Sequence, residues 1–325
     1  MDRLRQIQIQ EEIEERYNRK HIDKKIRAEI KASAEIQAKL LFGVQAMQEW
    51  LGETYYASKE ARLDQLRKLD LVSLVETVFV GITYVEEPQL FTSVSSLLAA
   101  RLGFDDKKAS VLTAAEILAV LCSTDAYDIE KEHEKASMMV VNRLPLSEEL
   151  RVFIHESRYL PPMVCVPLDL ENNYSSGYLS HKESLILGSG NHHEGNICLD
   201  VLNTANKVAL KLDLEFLCMV EEDPNSEFTV EKAMEKAAKD GKAITEAEAT
   251  IRVQQQKEHW HSFKGQSYEF YSLMHRTGNN FHLCHRVDKR GRIYASGYHI
   301  STQSTGHKKA MIELAHEEIV EGVPT

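Results

Sequence analysis

The sequence predicts a mainly α-helical protein with a small β portion. Two observations lead to this fold class. In most of the chain, apolar residues recur every three or four positions among charged ones, whereas near the C-terminus apolar and polar residues alternate around a glycine turn. The 325 residues are 43% hydrophobic and 27% charged, which is ordinary for folded domains. This composition excludes disordered, collagen-like and small disulfide-rich proteins.

The sequence also indicates where the protein works. No run approaches about 18 apolar residues, so no membrane-spanning helix is predicted. The N-terminus runs directly into a charged helical pattern without the apolar core of a signal peptide. The five cysteines form no CxxC pair, so reduced and mostly buried thiols are expected. We therefore expect a cytoplasmic protein.

Residues 1–159 form the first of two predicted domains, which is expected to be helical. A long helical arm is predicted from residue 1 to about 51. Apolar residues recur there at four-residue spacing, with charged residues between them and no proline: Ile22, Ile26, Ile30 and Ala34. Several shorter helices are predicted between residues 63 and 157. No motif in this domain indicates chemistry.

Residues 160–325 form the second predicted domain, beginning where the sequence changes in character. Prolines bracket a short apolar run at 160–167, which predicts an extended segment followed by a loop at 172–177. Two long helices, from about 194 to 222 and from about 229 to 259, are then expected to pair as a hairpin.

The end of this domain is predicted to contain strands and one more helix. Residues 281–300 alternate like two strands around a turn at 289–292. A closing helix is predicted from about 307 to 320. Strands at this position would expose unpaired backbone groups unless a neighbouring chain covered them.

Charge is distributed unevenly along the chain. The formal net charge is −11, yet residues 257–309 hold nine Lys or Arg against three acids, and half of the fourteen histidines. That segment carries +6, so the rest carries −17. This pattern argues against a protein that coats nucleic acid with its whole surface and indicates one localised polyanion site. The alternative is a basic stretch that pairs with acidic neighbours in the fold.

The histidines and cysteines do not predict a metal site. His192 and His193 are adjacent, and neighbours on a helix point about 100° apart, unlike zinc-binding histidines. His282 and Cys284 would share a strand face, but no second ligand pair stands at zinc-finger spacing. A metal-dependent hydrolase using the histidine-rich segment remains an alternative. No phosphate-binding glycine loop or nucleophile elbow is present.

The strongest candidate site is the turn that begins at Asp288. Gly291 stands between two arginines and permits a tight turn, so Arg290 and Arg292 could address one polyanion together. Asp288 could accept hydrogen bonds from backbone amides and brace the turn. Tyr294 adds a ring able to pack on a sugar or base. The Asp-x-x-Gly-Arg pattern is weak alone, and a surface turn held by a salt bridge is the simpler explanation.

The context strengthens the candidate. Residues 287–295 (Val-Asp-Lys-Arg-Gly-Arg-Ile-Tyr-Ala), with Gly-His-Lys-Lys-Ala at 306–310, resemble the DxxGR region of phage-type single-subunit RNA polymerases. Three further blocks resemble that family in the same order: 162–167 with 177–178, 203–208, and a third that comprises Lys264, 267–270 and 281–285. Together they cover roughly residues 160–315. Lys289 replaces a common aromatic residue, and Asn206 replaces a usual tryptophan.

The resemblance implies a thumb-like helical hairpin and the first strands of a polymerase palm. It implies that a group of residues binds the template strand or RNA–DNA hybrid: Lys264, Arg290, Gly291, Arg292, Tyr294, Lys308 and Lys309. Lys308 and Lys309 would lie at the start of the closing helix, where phosphates bind readily. Asp288 would brace the motif. The family's metal-binding aspartates are missing from these 325 residues, which implies no catalytic residue and no metal ligand in this chain.

The chain resembles, in particular, the small N-terminal-half subunit of a split, heterodimeric podoviral RNA polymerase. This implies part of a DNA-directed nucleotidyltransferase that is inactive as an isolated chain. The expected partners are a larger subunit with the palm and fingers motifs, which would bind Mg2+, the DNA template and the RNA transcript. A DNA-binding recruitment factor is a further candidate partner, and no membrane is expected. The alternative is a non-enzymatic DNA-binding or scaffold protein that retains the polymerase-like half.

Overall fold

The computed structural model describes residues 3–102, 106–132, 137–157, 159–188, 190–220 and 228–316. The predicted class is confirmed, because these residues are mainly helical with three small antiparallel sheets. None of the described helices is long and apolar enough to cross a membrane.

The chain divides into two compact units. The N-terminal unit contains the described residues of 15–158 and 188–191, and the C-terminal unit those of 1–14, 159–187 and 192–325. Residues 3–14 thus belong with the C-terminal unit, whereas the predicted first domain included them.

The long N-terminal arm is three helices rather than one. They are α1 (Arg3–Tyr17), α2 (Arg19–Ala32) and α3 (Ala34–Gly52). Asn18 and Ser33 interrupt the helix in extended conformations, and their side chains accept hydrogen bonds from the backbone of Lys20 (3.0 Å) and Ile36 (3.3 Å). Such N-caps satisfy backbone donors at a helix start, so each polar residue begins a new helix within a continuous apolar pattern.

The remaining helices of the N-terminal unit surround its hydrophobic core. They are α4 (Ala57–Leu66), α5 (Leu71–Thr83), α6 (Phe91–Leu102), α7 (Lys107–Leu121) and α8 (Glu148–Glu156). The isoleucines of α2 are buried in this core together with Phe79 of α5 and Ile117 of α7. Three members of the predicted four-residue repeat therefore face this core, whereas the fourth, Ala34, is exposed.

A small sheet in this unit corrects the expectation of an entirely helical first domain. Strands β1 (Gln89–Leu90), β2 (Tyr127–Lys131) and β3 (Met138–Asn142) pair antiparallel in the order β1-β3-β2. Tyr127 and Val140 are fully buried, and the Tyr127 hydroxyl donates to the carbonyl of Leu118 at 2.6 Å. The hairpin forms because these side chains complete the helical core.

The first long helix predicted in the C-terminal region, 194–222, is wrong. Only α9 (Leu199–Asn206) and α10 (Leu214–Met219) are helical, and β4 (Leu210–Leu212) lies between them. Asp213 caps α10 by accepting a hydrogen bond from the backbone of Phe216 at 2.9 Å. The end of the predicted helix, from residue 221, lies outside the described residues.

The second predicted helix, 229–259, is divided and longer than expected. Helices α11 (Val230–Lys239) and α12 (Glu246–Arg276) are separated at Gly241, whose φ of +72° favours glycine. Thr245 and Glu248 form a capping box that begins α12. α11 and α12 pack against each other, so a helical hairpin exists but joins different segments from those predicted.

The closing helix, predicted from 307 to 320, ends at Ala310, and a strand follows it. Helix α13 (Gly306–Ala310) is followed at once by β7 (Ile312–Leu314). β7 pairs antiparallel with β4, with Leu210 opposite Leu314. The strand forms because β4 supplies the backbone donors and acceptors with which β7 pairs. The spacing of apolar residues, from which the helix was predicted, does not reveal such a pairing. Residues 317–320 lie outside the described part.

Candidate nucleic-acid interface

The strands predicted in residues 281–300 are present and place the candidate site on a hairpin. β5 (His285–Val287) and β6 (Ile293–Ala295) pair antiparallel, with Arg286 opposite Tyr294. Directly opposed residues share one face of a sheet, so these two side chains lie on the same face. The hairpin therefore adds Arg286, which sequence reasoning missed, to the neighbourhood of Tyr294.

The turn between these strands is closed by backbone hydrogen bonds and by glycine. The Asp288 N–H donates to the Arg292 carbonyl, and the Gly291 N–H donates to the Asp288 carbonyl, each at 2.9 Å. Gly291 has a φ of +80°, and a Cβ there would meet nothing within 4 Å. Backbone conformation, rather than crowding, therefore favours glycine at this position.

The carboxylate of Asp288 holds the turn together. Its Oδ1 accepts the backbone N–H of Arg290 at 2.9 Å and of Arg292 at 3.0 Å, and its Oδ2 accepts from Nε of Arg292 at 2.7 Å. Desolvation raises the pKa of this carboxyl, but the hydrogen bonds and charge of Arg292 outweigh it and lower the pKa below its usual range. Asp288 is therefore ionised near neutral pH.

The two arginines of the turn differ in their availability. Arg292 engages Asp288 through both Nε and Nη2, at 2.7 and 2.6 Å, whereas Arg290 has one longer contact at 3.4 Å. Their side chains are 55% and 64% exposed. Asp288 therefore mainly neutralises Arg292, which leaves the guanidinium of Arg290 as the better donor to an external anion. Arg292 also lies over the ring of Tyr294, 5.7 Å from its centroid.

Lys308 does not fit the prediction that it contacts a phosphate directly. The residue is only 6% exposed, and its Nζ donates to the Tyr298 carbonyl at 2.6 Å. The ammonium lies over the rings of Phe263 and Tyr298, 4.4 and 4.7 Å from their centroids, an arrangement that stabilises a cation. Desolvation lowers the pKa of Lys308. Its neighbour Lys309 is exposed.

Lys264 lies on α12 and is held by another element. Its Nζ donates to the Val220 carbonyl, just after α10, at 3.2 Å and lies 5.3 Å from the ring centroid of Tyr268. The Tyr268 hydroxyl donates to the Leu217 carbonyl at 2.6 Å. The structure brings Asp288, Arg290, Gly291, Arg292 and Tyr294 together on one hairpin. The described contacts do not join Lys264 or Lys309 to that group.

Two of the sequence blocks meet beside the hairpin. Met163 and His282 exchange backbone hydrogen bonds at 2.9 and 2.7 Å. The sulfur atoms of Met163 and Cys284 are 3.5 Å apart in the same buried cluster. Gly177 has a φ of +78°, and a Cβ there would lie 3.1 Å from Cys284 Sγ. The segments at 162–167 and 177–178 therefore pack against residues 282–284, which lead into β5.

The block at 203–208 is fixed to the same region by two asparagines. Asn203 forms hydrogen bonds to both backbone groups of Leu170, at 2.7 and 3.1 Å. Asn206 is 2% exposed, and its Oδ1 accepts the backbone N–H of His285 at 2.8 Å. Asn206 thus connects α9 to β5.

Two buried polar residues of α1 support these segments and were missed by sequence reasoning. Glu14 is fully buried, and its carboxylate accepts the backbone N–H groups of Leu179 at 2.8 Å and Ser180 at 2.7 Å. Gln10 donates to Glu14 at 3.0 Å and accepts from the backbone of Val164 at 2.9 Å. Both residues look solvent-facing within a charged helix, and only their i, i+4 spacing indicates a shared face.

The histidine-rich segment gains no metal centre from the fold. No group of three His, Cys, Asp or Glu side chains in the described ranges could hold an ion. Burial lowers the pKa of His282 and of His285. His192 instead contacts the hydroxyl of Ser184 at 2.9 Å and the carboxylate of Glu194 at 2.8 Å.

Comparison with known proteins gives no independent assignment. Neither a scan against protein-family models nor a search of curated proteins finds a match to this chain.

Proposed function

We propose that this chain is the small subunit of a heterodimeric DNA-directed RNA polymerase. It holds the template strand or the RNA–DNA hybrid while a larger subunit supplies the catalytic centre. One observation carries the proposal: sequence blocks at 162–167, 203–208 and 281–285, far apart in the chain, pack together at the open end of the β5–β6 hairpin that carries the Asp288 turn. A surface turn that merely contains a salt bridge would not need these blocks packed against its hairpin.

The turn is suited to hold a phosphodiester backbone. Arg290 presents an exposed guanidinium, and Arg292 presents the part of its guanidinium that Asp288 leaves open. The ring of Tyr294 lies beside the guanidinium of Arg292. Arginine forms strong, directional hydrogen bonds to phosphate oxygens. Such contacts position a strand without reading its sequence, which suits an enzyme that moves along its template.

The surrounding lysines take different roles in this proposal. Lys309 is exposed and adds positive charge to the surface. Lys264 is half-buried and donates a hydrogen bond to the Val220 carbonyl. In this proposal its charge also attracts the nucleic-acid strand. Lys308 supports the loop that follows β6 instead of touching the nucleic acid. In this proposal the helical hairpin of α11 and α12 acts as the thumb, and β5 and β6 begin the palm.

The proposal assigns Mg2+ to the larger subunit. Nucleotidyl transfer by two metal ions requires several carboxylates that converge on them. The described residues contain no such group, and Asp288 is engaged by Arg292. The described residues of this chain therefore do not fit the ion pair. A DNA-binding recruitment factor and action in the cytoplasm belong to the same proposal.

RNA synthesis by defined mixtures tests the proposal. The chain is assayed alone and after co-expression with the candidate larger subunit, on single-stranded DNA with and without Mg2+. We expect synthesis only from the mixture and only with Mg2+. Robust synthesis by the isolated chain would contradict the split enzyme. Binding to nucleic acid without synthesis in any mixture would favour the scaffold alternative.

A further inference from the structure

A side chain from outside the motif occupies the outer edge of β6. Gln303 lies in the loop between β6 and α13. Its Oε1 accepts the Ala295 N–H at 2.8 Å, and its Nε2 donates to the Ile293 carbonyl at 3.0 Å. These are the backbone groups that a further strand would bind in an antiparallel sheet. The amide of Gln303 therefore replaces one peptide unit of a missing strand.

The two backbone groups that Gln303 binds lie on either side of Tyr294. β5 pairs with the inner edge of the strand, where Arg286 stands opposite Tyr294. Tyr294 is thus held from both edges, and the direction of a strand side chain follows from its backbone. Because Arg292 immediately precedes Ile293, a shift of β6 would also move its guanidinium.

The loop that carries Gln303 is itself anchored. The Gln303 N–H donates to the hydroxyl of Ser301 at 3.2 Å, and Ser301 is 3% exposed. Lys308 donates to the Tyr298 carbonyl and so joins the two ends of the loop. The buried ammonium of Lys308 thereby helps to place Gln303 against β6.

We propose that Gln303 is a positioning residue, which orders Tyr294 and Arg292 for contact with a nucleotide of the bound strand. The inference rests on the proposed function and deepens it. Gln303 is exposed and does not itself need to touch nucleic acid. Holding the two side chains in the bound geometry reduces the ordering cost of binding, so the amide acts on affinity through the strand.

The test compares Gln303→Met with Thr302→Ala in the full chain. Methionine keeps the size of glutamine but has no amide, and Thr302 is an exposed neighbour with no side-chain hydrogen bond among the described contacts. Affinity for a labelled RNA–DNA hybrid is measured by fluorescence anisotropy, and exchange of the Ala295 amide by NMR. We expect Q303M to weaken binding roughly tenfold, the scale of one or two hydrogen bonds, and to accelerate the exchange. T302A should change neither, and both thermal midpoints should stay near wild type.

A double-variant cycle shows whether Gln303 acts through Tyr294. If it does, Q303M combined with Tyr294→Ala binds no more weakly than Y294A alone, because the shared effect is already lost. Full additivity of the two losses, or wild-type binding by Q303M despite faster exchange, overturns the inference. If neither Y294A nor Arg290→Ala changes hybrid binding, the proposed function fails instead, so the two failures are distinguishable.

Discussion

Arg292 and Asp288 form a two-point contact in which Nε and Nη2 of the guanidinium lie 2.7 and 2.6 Å from one carboxylate oxygen. Arg290, two residues earlier, has a single contact of 3.4 Å with the same oxygen. One carboxylate therefore organises the turn and neutralises one arginine in preference to the other. The two arginines of the motif should consequently behave differently when they are replaced.

Arg290→Ala should weaken binding to an RNA–DNA hybrid by about tenfold, the scale of one charge-assisted hydrogen bond to phosphate. It should also reduce the dependence of log Kd on log salt by roughly 0.9, because about one phosphate contact is lost. Anisotropy titrations between low and moderate salt measure both quantities. Lys289→Ala, which removes an exposed charge from the same turn, is the control and should have a milder effect.

Arg292→Ala should also weaken hybrid binding, but by disordering the turn as well as removing a charge. The heterodimer should still form, since the side chain is expected to face nucleic acid. Transcripts should be released early from a template–RNA scaffold. Elongation like that of the wild type at moderate salt would mean that the Asp288–Arg292 pair is only a structural salt bridge.

The turn should lose its order only in acid. The pKa of Asp288 is lowered in the folded protein, so its contribution to stability is complete above the unfolded value of about 3.9. It is lost as pH falls through the lower folded pKa. The protection of the Arg290 and Arg292 amides from hydrogen exchange, measured relative to their intrinsic exchange rates at each pH, should therefore be constant from pH 5 to 8. Asp288→Asn should accelerate the exchange of these amides at neutral pH, as acid does in the wild type. Unchanged exchange in that variant would show that the Asp288 carboxylate does not brace the turn.

Lys308→Met should change stability but not the salt dependence of hybrid binding, and Lys309→Ala should do the reverse. K308M removes the hydrogen bond to the Tyr298 carbonyl and should lower stability by about 1–2 kcal/mol, without changing the salt dependence of hybrid binding. K309A should leave the thermal midpoint near wild type and reduce the salt dependence. Calorimetry and anisotropy of both variants check this. A reduced salt dependence in K308M would show that its ammonium reaches phosphate after all.

Glycine should be required at 177 and dispensable at 265. Gly177→Ala places a Cβ 3.1 Å from Cys284 Sγ at a φ of +78°, and should destabilise the protein by about 1–2 kcal/mol. Gly265 lies within α12 with nothing within 4 Å of a Cβ, so G265A should stabilise by about 0.5–1 kcal/mol. Urea unfolding of both variants gives the comparison; equal effects would refute the packing of Gly177 against Cys284.

Glu14→Gln should destabilise the protein by about 1–3 kcal/mol. A neutral amide keeps one acceptor but places its second polar atom, now a donor, against the backbone donors of Leu179 and Ser180. Glu12→Gln, on the exposed side of the same helix, is the matched control and should be close to neutral. Thermal unfolding measures both. A silent E14Q would indicate that α1 does not support the 178–180 segment.

Local sequence patterns correctly predicted the features that depend on local physics. The helical class follows from apolar periodicity, which α2 and α5 satisfy by burying one face. The β5–β6 hairpin follows from alternation around Gly291, whose positive φ few other residues adopt readily. The same rules misjudged β2, β3, β4 and β7, because short strands exist only where another segment supplies their hydrogen bonds.

The candidate site shows the same division. Asp288, Gly291 and the two arginines could be selected from the sequence by itself, because a turn of five residues contains its own geometry and charge. Only the tertiary structure decided that Lys308 is enclosed, since the ring of Phe263 comes from α12, and that Gln303 binds the edge of β6. Burial and edge pairing are properties of neighbours brought together by folding, and a linear sequence does not state which neighbours those are.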